Sequence, residues 1–197
     1  MRGKLTRDRI IQEALKLFQE KGISETSMAD LEKAAGVSKG ALYFHFSSKE
    51  DLVLAALGHA RGLFKQFLEE AFSEGPPRES LRKFLEKIYQ KMEEDGFRTG
   101  CLFGNTAIEV ANRESPIRDF LEETFEDWKE ELATVLFQAR NRGCLSREES
   151  PEDLALFIIA ALEGALLLSR LKKDGGPLKT VIRVLGTLIP LKDGGRS

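Results

Sequence analysis

The sequence predicts an all-α fold, and three observations carry that expectation. Apolar residues recur at three- and four-residue spacing through nearly every segment. Helix starts are marked, most clearly at Ser115-Pro116 and Ser150-Pro151, where an N-cap serine precedes a proline at the first helical position. Glycines stand where the periodic stretches stop, as at Gly22, Gly36 and Gly143. No period-two alternation marks a strand, and no stretch repeats.

Nine helices follow in order. The first is expected from about Arg7 to Lys21, with Thr6 as N-cap and Ile10, Ile11, Ala14, Leu15, Leu17 and Phe18 on its apolar face. The second starts near Ser27 and breaks at Gly36; the third starts at Ser38 and ends around Phe44 to Phe46. A long fourth begins at Ser47 or Ser48, its first turn acidic at Glu50 and Asp51, which suits the helix dipole. Gly75-Pro76-Pro77 stops it and marks a linker. The fifth is expected from about Glu79 to Glu94, the sixth from Cys101 to Asn112 and the seventh from Ser115 to Arg142. The eighth runs to about Lys173. After a Gly175-Gly176-Pro177 turn the ninth runs to about Leu191, and the tail from Asp193 to Ser197 reads as frayed.

The bulk numbers fit this picture. Of the 197 residues, 42% are hydrophobic and 31% charged, as in a soluble globular protein. A chain of this length buries roughly 70% of its unfolded surface and needs no metal or disulfide. Net charge is -2. Residues 1–50 hold 9 Lys/Arg against 7 Asp/Glu, and residues 51–197 hold 21 against 25. A weakly basic head thus precedes an acidic body, which suits phosphate contact at one end. A head domain of 1–50 and a body of 51–197 are expected.

Cys101 and Cys144 are the only cysteines, His45 and His59 the only histidines, and none are closely spaced. No metal and no cofactor are expected. No apolar signal-peptide core follows the N-terminus, so a cytoplasmic location with reduced thiols is expected. Leu154 to Leu171 is strongly apolar, but Glu163 and Arg170 interrupt it, which favours a buried helix over a membrane span.

The strongest functional pattern lies in the second and third helices. A helix-turn-helix needs two short helices at a steep angle and a turn residue tolerant of unusual dihedrals, which Ala35-Gly36-Val37 supplies. Ser38-Lys39-Gly40-Ala41 then offers short side chains where the second helix would enter the major groove. Lys39 is the one long polar side chain there, able to reach a guanine edge or a phosphate. Leu42, Phe44 and Phe46 are read as packing residues.

The run Thr26-Ser27-Met28-Ala29-Asp30-Leu31, Ala34-Ala35-Gly36-Val37-Ser38-Lys39-Gly40-Ala41-Leu42-Tyr43-Phe44-His45-Phe46 and Lys49-Glu50-Asp51-Leu52 resembles the N-terminal signature of the tetracycline-repressor (TetR) family. The resemblance spans about residues 6–57. It implies an all-helical homodimer with an N-terminal helix-turn-helix and a C-terminal ligand-binding and dimerisation domain, binding a palindromic double-stranded DNA operator. It implies phosphate contacts at Thr26, Tyr43, His45 and Lys49, with Ser27 beside them, and groove contacts at Ser38, Lys39, Gly40 and Ala41. Ala41 has no polar group, so an apolar contact, as to a thymine methyl, is what that position offers.

The resemblance also implies a pocket in the body for a small apolar or aromatic effector. Asn105, Glu109 and Glu163 each interrupt an apolar helical stretch and are candidate polar groups; Phe103, Phe125 and Trp128 are candidate walls. Two readings of Cys101 stand: an electrophile-sensing thiol at a helix N-terminus, or a small buried residue. Homodimerisation is expected through Leu154–Lys173 and Leu178–Leu191, where small residues such as Ala160, Ala161 and Gly164 permit close approach and Leu185 and Ile189 complete the seam. A charge at Ala161 or Leu185 is expected to give monomers.

Two rival classes fare poorly. No nucleophile–base pair, P-loop, GxGxxG or metal signature points to an enzyme. A protein-binding helical module has no use for Lys39-Gly40 at a recognition-helix start.

Overall fold

The computed structural model describes residues 2–72, 75–143, 145, 148 and 150–188. Among them are nine helices and no strand: α1 (Arg2–Lys21), α2 (Met28–Ala35), α3 (Lys39–His45), α4 (Lys49–Phe72), α5 (Pro77–Glu94), α6 (Leu102–Val110), α7 (Pro116–Asn141), α8 (Pro151–Lys172) and α9 (Gly176–Leu188). The all-α expectation holds element by element. Cys144, the expected last turn of α9 (189–191, with Ile189) and the 193–197 tail lie outside the described residues.

Three starts differ from expectation; α9 begins at Gly176, inside the expected Gly175-Gly176-Pro177 turn. Thr6 does not cap α1, which begins at Arg2. Lys4, Leu5 and Arg7 are good helix formers, and nothing before Thr6 forces a break. α5 begins at Pro77 rather than Glu79, because proline is welcome in a first helical turn.

The chain groups into two compact units. Residues 1–64 and 101–123 form one; residues 65–100 and 124–197 form the other. This partition differs from a division after residue 50. α6 and the start of α7 group with α1 to α3, a long-range association that composition along the chain cannot reveal.

In the first unit α2 packs on α1 and α3 on α2. Ile10, Ile11, Ala14 and Phe18 of α1 are buried, as are Leu31, Ala35, Leu42 and Phe46. The Arg7 guanidinium lies 5.0 Å from the centroid of the Phe46 ring. Arg61 of α4 pairs with Glu123 of α7 at 3.2 Å and covers the Phe120 ring.

In the second unit α9 packs on α8 and α5. The buried Ser169 hydroxyl accepts the Leu178 N–H at 3.1 Å and so ties the two helices together. Lys173 ends α8 in the left-handed region at φ 53° and makes the turn tight. Leu185 is only 1% exposed within the single chain. A charge there would disrupt the packing of α9 itself, so it is not the seam residue expected. Side chains on the other face of α8 are exposed: Leu156, Phe157, Leu167, Leu168 and Leu171. By length and composition alone, α8 is long and apolar enough to cross a membrane.

Candidate nucleic-acid interface

The head is built by three capping devices. Ser27 caps α2: its hydroxyl accepts the Asp30 N–H at 3.1 Å, while the Asp30 carboxylate accepts the Ser27 N–H at 2.9 Å. This reciprocal box satisfies two otherwise orphaned donors. The hydroxyl and backbone N–H of Ser27 hold the Asp30 carboxyl below its ordinary range, with Lys21, 3.7 Å away, adding to the effect. Gly36 closes α2 at φ +60°, where a side chain would cost about 1–2 kcal/mol. Its N–H reaches Lys33 O at 3.3 Å and the Val37 N–H reaches Glu32 O at 3.1 Å. Ser38 then caps α3 by accepting the Ala41 N–H at 3.2 Å.

These caps present one face of α3. Lys39 and Tyr43, and Gly40 and Phe44, are pairs four residues apart on that face, and all four are exposed. Lys39 has no hydrogen-bond or ion-pair partner among the described residues. A Cβ built on Gly40 meets nothing within 4 Å. Nothing in the chain's own packing requires glycine there, yet glycine weakens a helix by roughly 0.5–1 kcal/mol relative to alanine. Leu42 and Phe46 are buried as expected, but Phe44 is 82% exposed and does not pack inward. Its ring instead meets His45 edge-on, with centroids 5.1 Å apart. A helix seven residues long has a narrow buried face, and Phe44 falls two residues from both Leu42 and Phe46, on the opposite side.

The four residues expected at phosphates are held differently from one another. Tyr43 is 44% exposed and His45 half-buried. Lys49 reaches the Ser24 carbonyl at 3.3 Å, which leaves donors for a second partner. Thr26 is 0% exposed, and its hydroxyl donates to Gly22 O at 2.7 Å. Its side chain organises the α1–α2 turn instead of facing solvent. A threonine between two helices is sequence-compatible with either role, and burial decides between them.

The residues expected at an effector pocket fall in different units. Cys101, Phe103, Asn105 and Glu109 belong to the first, and Phe125, Trp128 and Glu163 to the second. Cys101 is half-exposed and caps α6, its sulfur accepting the Gly104 N–H at 3.4 Å. Phe103 is buried and Asn105 half-buried. Glu109 is engaged by the α1–α2 turn: it accepts the Ile23 N–H at 3.1 Å and the Ser24 N–H at 2.7 Å. The carboxylate expected to face a ligand is therefore spent on backbone. Phe125 and Trp128 meet edge-to-face at 5.2 Å. Elsewhere in the second unit a groove of about 230 Å³ runs between α5 and α9, lined by Glu86, Tyr89, Gln90, Lys179, Ile182 and Arg183. None of these is among the residues expected at an effector pocket. Among the described residues no group of three or more His, Cys, Asp or Glu is placed to hold a metal.

Comparison with known proteins places these features in a family. Residues 10–56 match the family model for bacterial regulatory proteins of the tetR family, and residues 75–185 match that for the tetracyclin repressor-like C-terminal domain. The chain is 32% identical to the transcriptional regulator AcuR of Cereibacter sphaeroides, over 92% of this chain and 84% of that protein. It is 28% identical to the HTH-type transcriptional repressor DhaR of a Mycobacterium species, over 91% and 89%. A solved regulatory protein TetR from Rhodobacter sphaeroides superposes with a TM-score of 0.89 at 31% identity, covering 94% of this chain and 99% of that one. With a capped helix-turn-helix at its head and both family models matched in order, the chain belongs to the tetR family of bacterial transcriptional regulators, DNA-binding proteins and not enzymes.

Proposed function

We propose that this protein is a homodimeric repressor that binds a palindromic operator through α3 and is released by a small apolar or aromatic effector. The observation that carries the DNA-reading part is the face of α3. A capped helix start presents Lys39 beside a glycine whose missing side chain leaves open space. Lys39 reads a base edge or a phosphate; Ala41 and Phe44 offer apolar contact to bases or sugars; Tyr43, His45 and Lys49 serve phosphates. Ser27 and Ser38 offer capped N-terminal turns beside them, where backbone N–H groups suit a phosphate. Thr26 contributes by fixing the turn rather than by its hydroxyl.

The exposed stripe Leu156, Phe157, Leu167, Leu168 and Leu171 on α8 supports dimerisation. Exposed Ala160 and Gly164 lie along the same stripe and allow a partner helix to approach closely. α9 joins α8 in the interface, giving an isologous contact. Two heads then meet half-sites about 34–36 Å apart on one face of the duplex. For the effector, Phe125 and Trp128 are the candidate aromatic wall within the second unit, and Glu163 a candidate polar group there. Such a protein works in the cytoplasm.

Titration with the protein's own promoter fragment against a scrambled duplex, across salt concentrations, tests the central reading. Preferential binding with affinity falling steeply as salt rises is expected. Absence of duplex binding at low salt overturns it.

A further inference from the structure

We infer that Glu109 is a positioning residue for DNA binding: its carboxylate holds the α1–α2 turn and so fixes the angle of the helix-turn-helix against α6. The inference rests on the regulator reading above and assigns a device to it. Four observations converge on one short turn. Glu109 of α6 accepts the N–H groups of Ile23 and Ser24, which lie 86 and 85 residues away in the chain. The Ser24 carbonyl accepts from Lys49, the first residue of α4. The buried Thr26 hydroxyl donates to Gly22 O. A Cβ built on Gly22, which stands at φ +86°, lies 2.5 Å from Glu109 Oε1.

The Ser24 peptide is thus gripped on both sides, its N–H by α6 and its C=O by α4. Two adjacent backbone N–H groups converging on one carboxylate form a charge-assisted fork, stronger than a neutral pair and directional. Gly22 leaves room for that carboxylate. The turn joins α1 to α2, and α2 carries α3 through the Gly36 cap. Displacing the turn therefore displaces the recognition helix as a body, without altering any residue that faces DNA. In a dimer whose two heads must match a fixed half-site spacing, an orientation error weakens binding to a full operator more than binding to a single half-site.

The test uses the full chain carrying Glu109→Ala, Glu109→Gln or Gly22→Ala. Amide exchange at Ile23 and Ser24 and binding to promoter duplexes with two half-sites or with one scrambled are measured together. Glu109→Ala should speed exchange at both amides by about tenfold or more, since hydrogen bonds to a charged group are the stronger ones. It should weaken full-site binding several-fold and leave half-site binding within twofold. Glu109→Gln, which keeps one acceptor oxygen, should fall between. Gly22→Ala should mimic Glu109→Ala by pushing the carboxylate aside, and its effect on the full-site to half-site ratio should shrink in the double variant. Unchanged amide exchange overturns the grip. Equal losses on full and half sites, or unchanged or tighter full-site binding, overturn the positioning role. If the wild-type chain binds no duplex DNA, the regulator reading falls first and the positioning role with it, while the exchange data still decide whether the carboxylate holds the turn.

Discussion

Gly40→Ala separates the chain's own needs from those of its DNA partner. The backbone at Gly40 is helical, and a Cβ there finds open space. No strain or clash therefore opposes alanine in the free protein. Alanine gains roughly 0.5–1 kcal/mol over glycine in a helix, although the first turn recovers only part of it. With a shift of about 2–4 °C per kcal/mol for a chain of this size, the melting temperature should rise, by at most about 4 °C. In the proposed complex the same methyl sits where the backbone of α3 enters the groove. Losing or distorting one base contact costs about 1–3 kcal/mol, which is a loss of roughly 5- to 150-fold in affinity.

Opposite signs in two assays are the signature: higher Tm by calorimetry, weaker promoter binding by fluorescence anisotropy. Binding to scrambled duplex should change little, because that term comes from phosphates. Gly36→Ala is the internal control. A Cβ at Gly36 also meets nothing within 4 Å, but φ is +60°, so alanine should destabilise by about 1–2 kcal/mol. If Gly40→Ala lowers Tm, or raises it with promoter affinity intact, the assignment of that face to DNA fails.

Other outcomes follow from the same geometry. Phe44→Ala should leave Tm nearly unchanged and weaken promoter binding several-fold; a drop in Tm matching the roughly 3–5 kcal/mol typical of a buried Phe would show that the ring packs inward after all. Leu171→Glu, at a side chain 77% exposed, should give a folded monomer in sedimentation, whereas Leu185→Glu should unfold the chain; a dimeric Leu171→Glu protein would displace the interface from α8. Asp30 adds a pH dependence. Its carboxyl is held below the ordinary value by Ser27, so its contribution to α2 is present above the unfolded aspartate pKa of about 3.9 and lost as pH falls through the lower folded value. Asp30→Asn should flatten that part of the acid-unfolding curve measured by circular dichroism, and an identical curve would refute the role.

The fold was legible because its punctuation is local. Ser27, Gly36, Ser38, Ser150-Pro151 and the helical periodicity each act within four residues, and the helices they bound, α2, α3 and α8, appeared where they pointed. The exposed face of α3 was mostly legible for the same reason: a cap and a seven-residue helix fix which side chains point out. Phe44 was misjudged because an aromatic residue usually packs, and only the opposite placement of Leu42 and Phe46 reveals its side. Thr26 and Glu109 were not legible at all. Thr26 bonds locally to Gly22 O, but its burial comes from tertiary packing; Glu109 depends on its contact with the Ile23 and Ser24 backbone, and a carboxylate interrupting an apolar helix looks the same whether it serves a ligand or a distant backbone turn. The extra length of α1 was missed because the cap signal at Thr6 is weak and the preceding residues permit helix.

α8 shows why hydropathy alone could not choose among its readings. Its mean hydropathy over an 18-residue window is 2.0, yet only 33% of that window is buried. The buried residues, including Ala155, Ile158, Leu162, Ala165 and Leu166, form one face. The exposed apolar residues form another, from Leu156 and Phe157 through Leu167 and Leu168 to Leu171, with Ala160 and Gly164 between. An ordinary surface helix needs one apolar stripe, and a helix with two must place the second somewhere. Glu163 and Arg170 interrupt the apolar surface, which disfavours lipid as the second partner. A second copy of the same helix, meeting small residues with small residues, accounts for the position of the stripe and for its composition. It also explains why Leu185 and Leu171, both leucines in the α8–α9 pair, should respond to a charge in different ways: one lies inside the subunit, and the other lies on the exposed stripe proposed to meet a second copy.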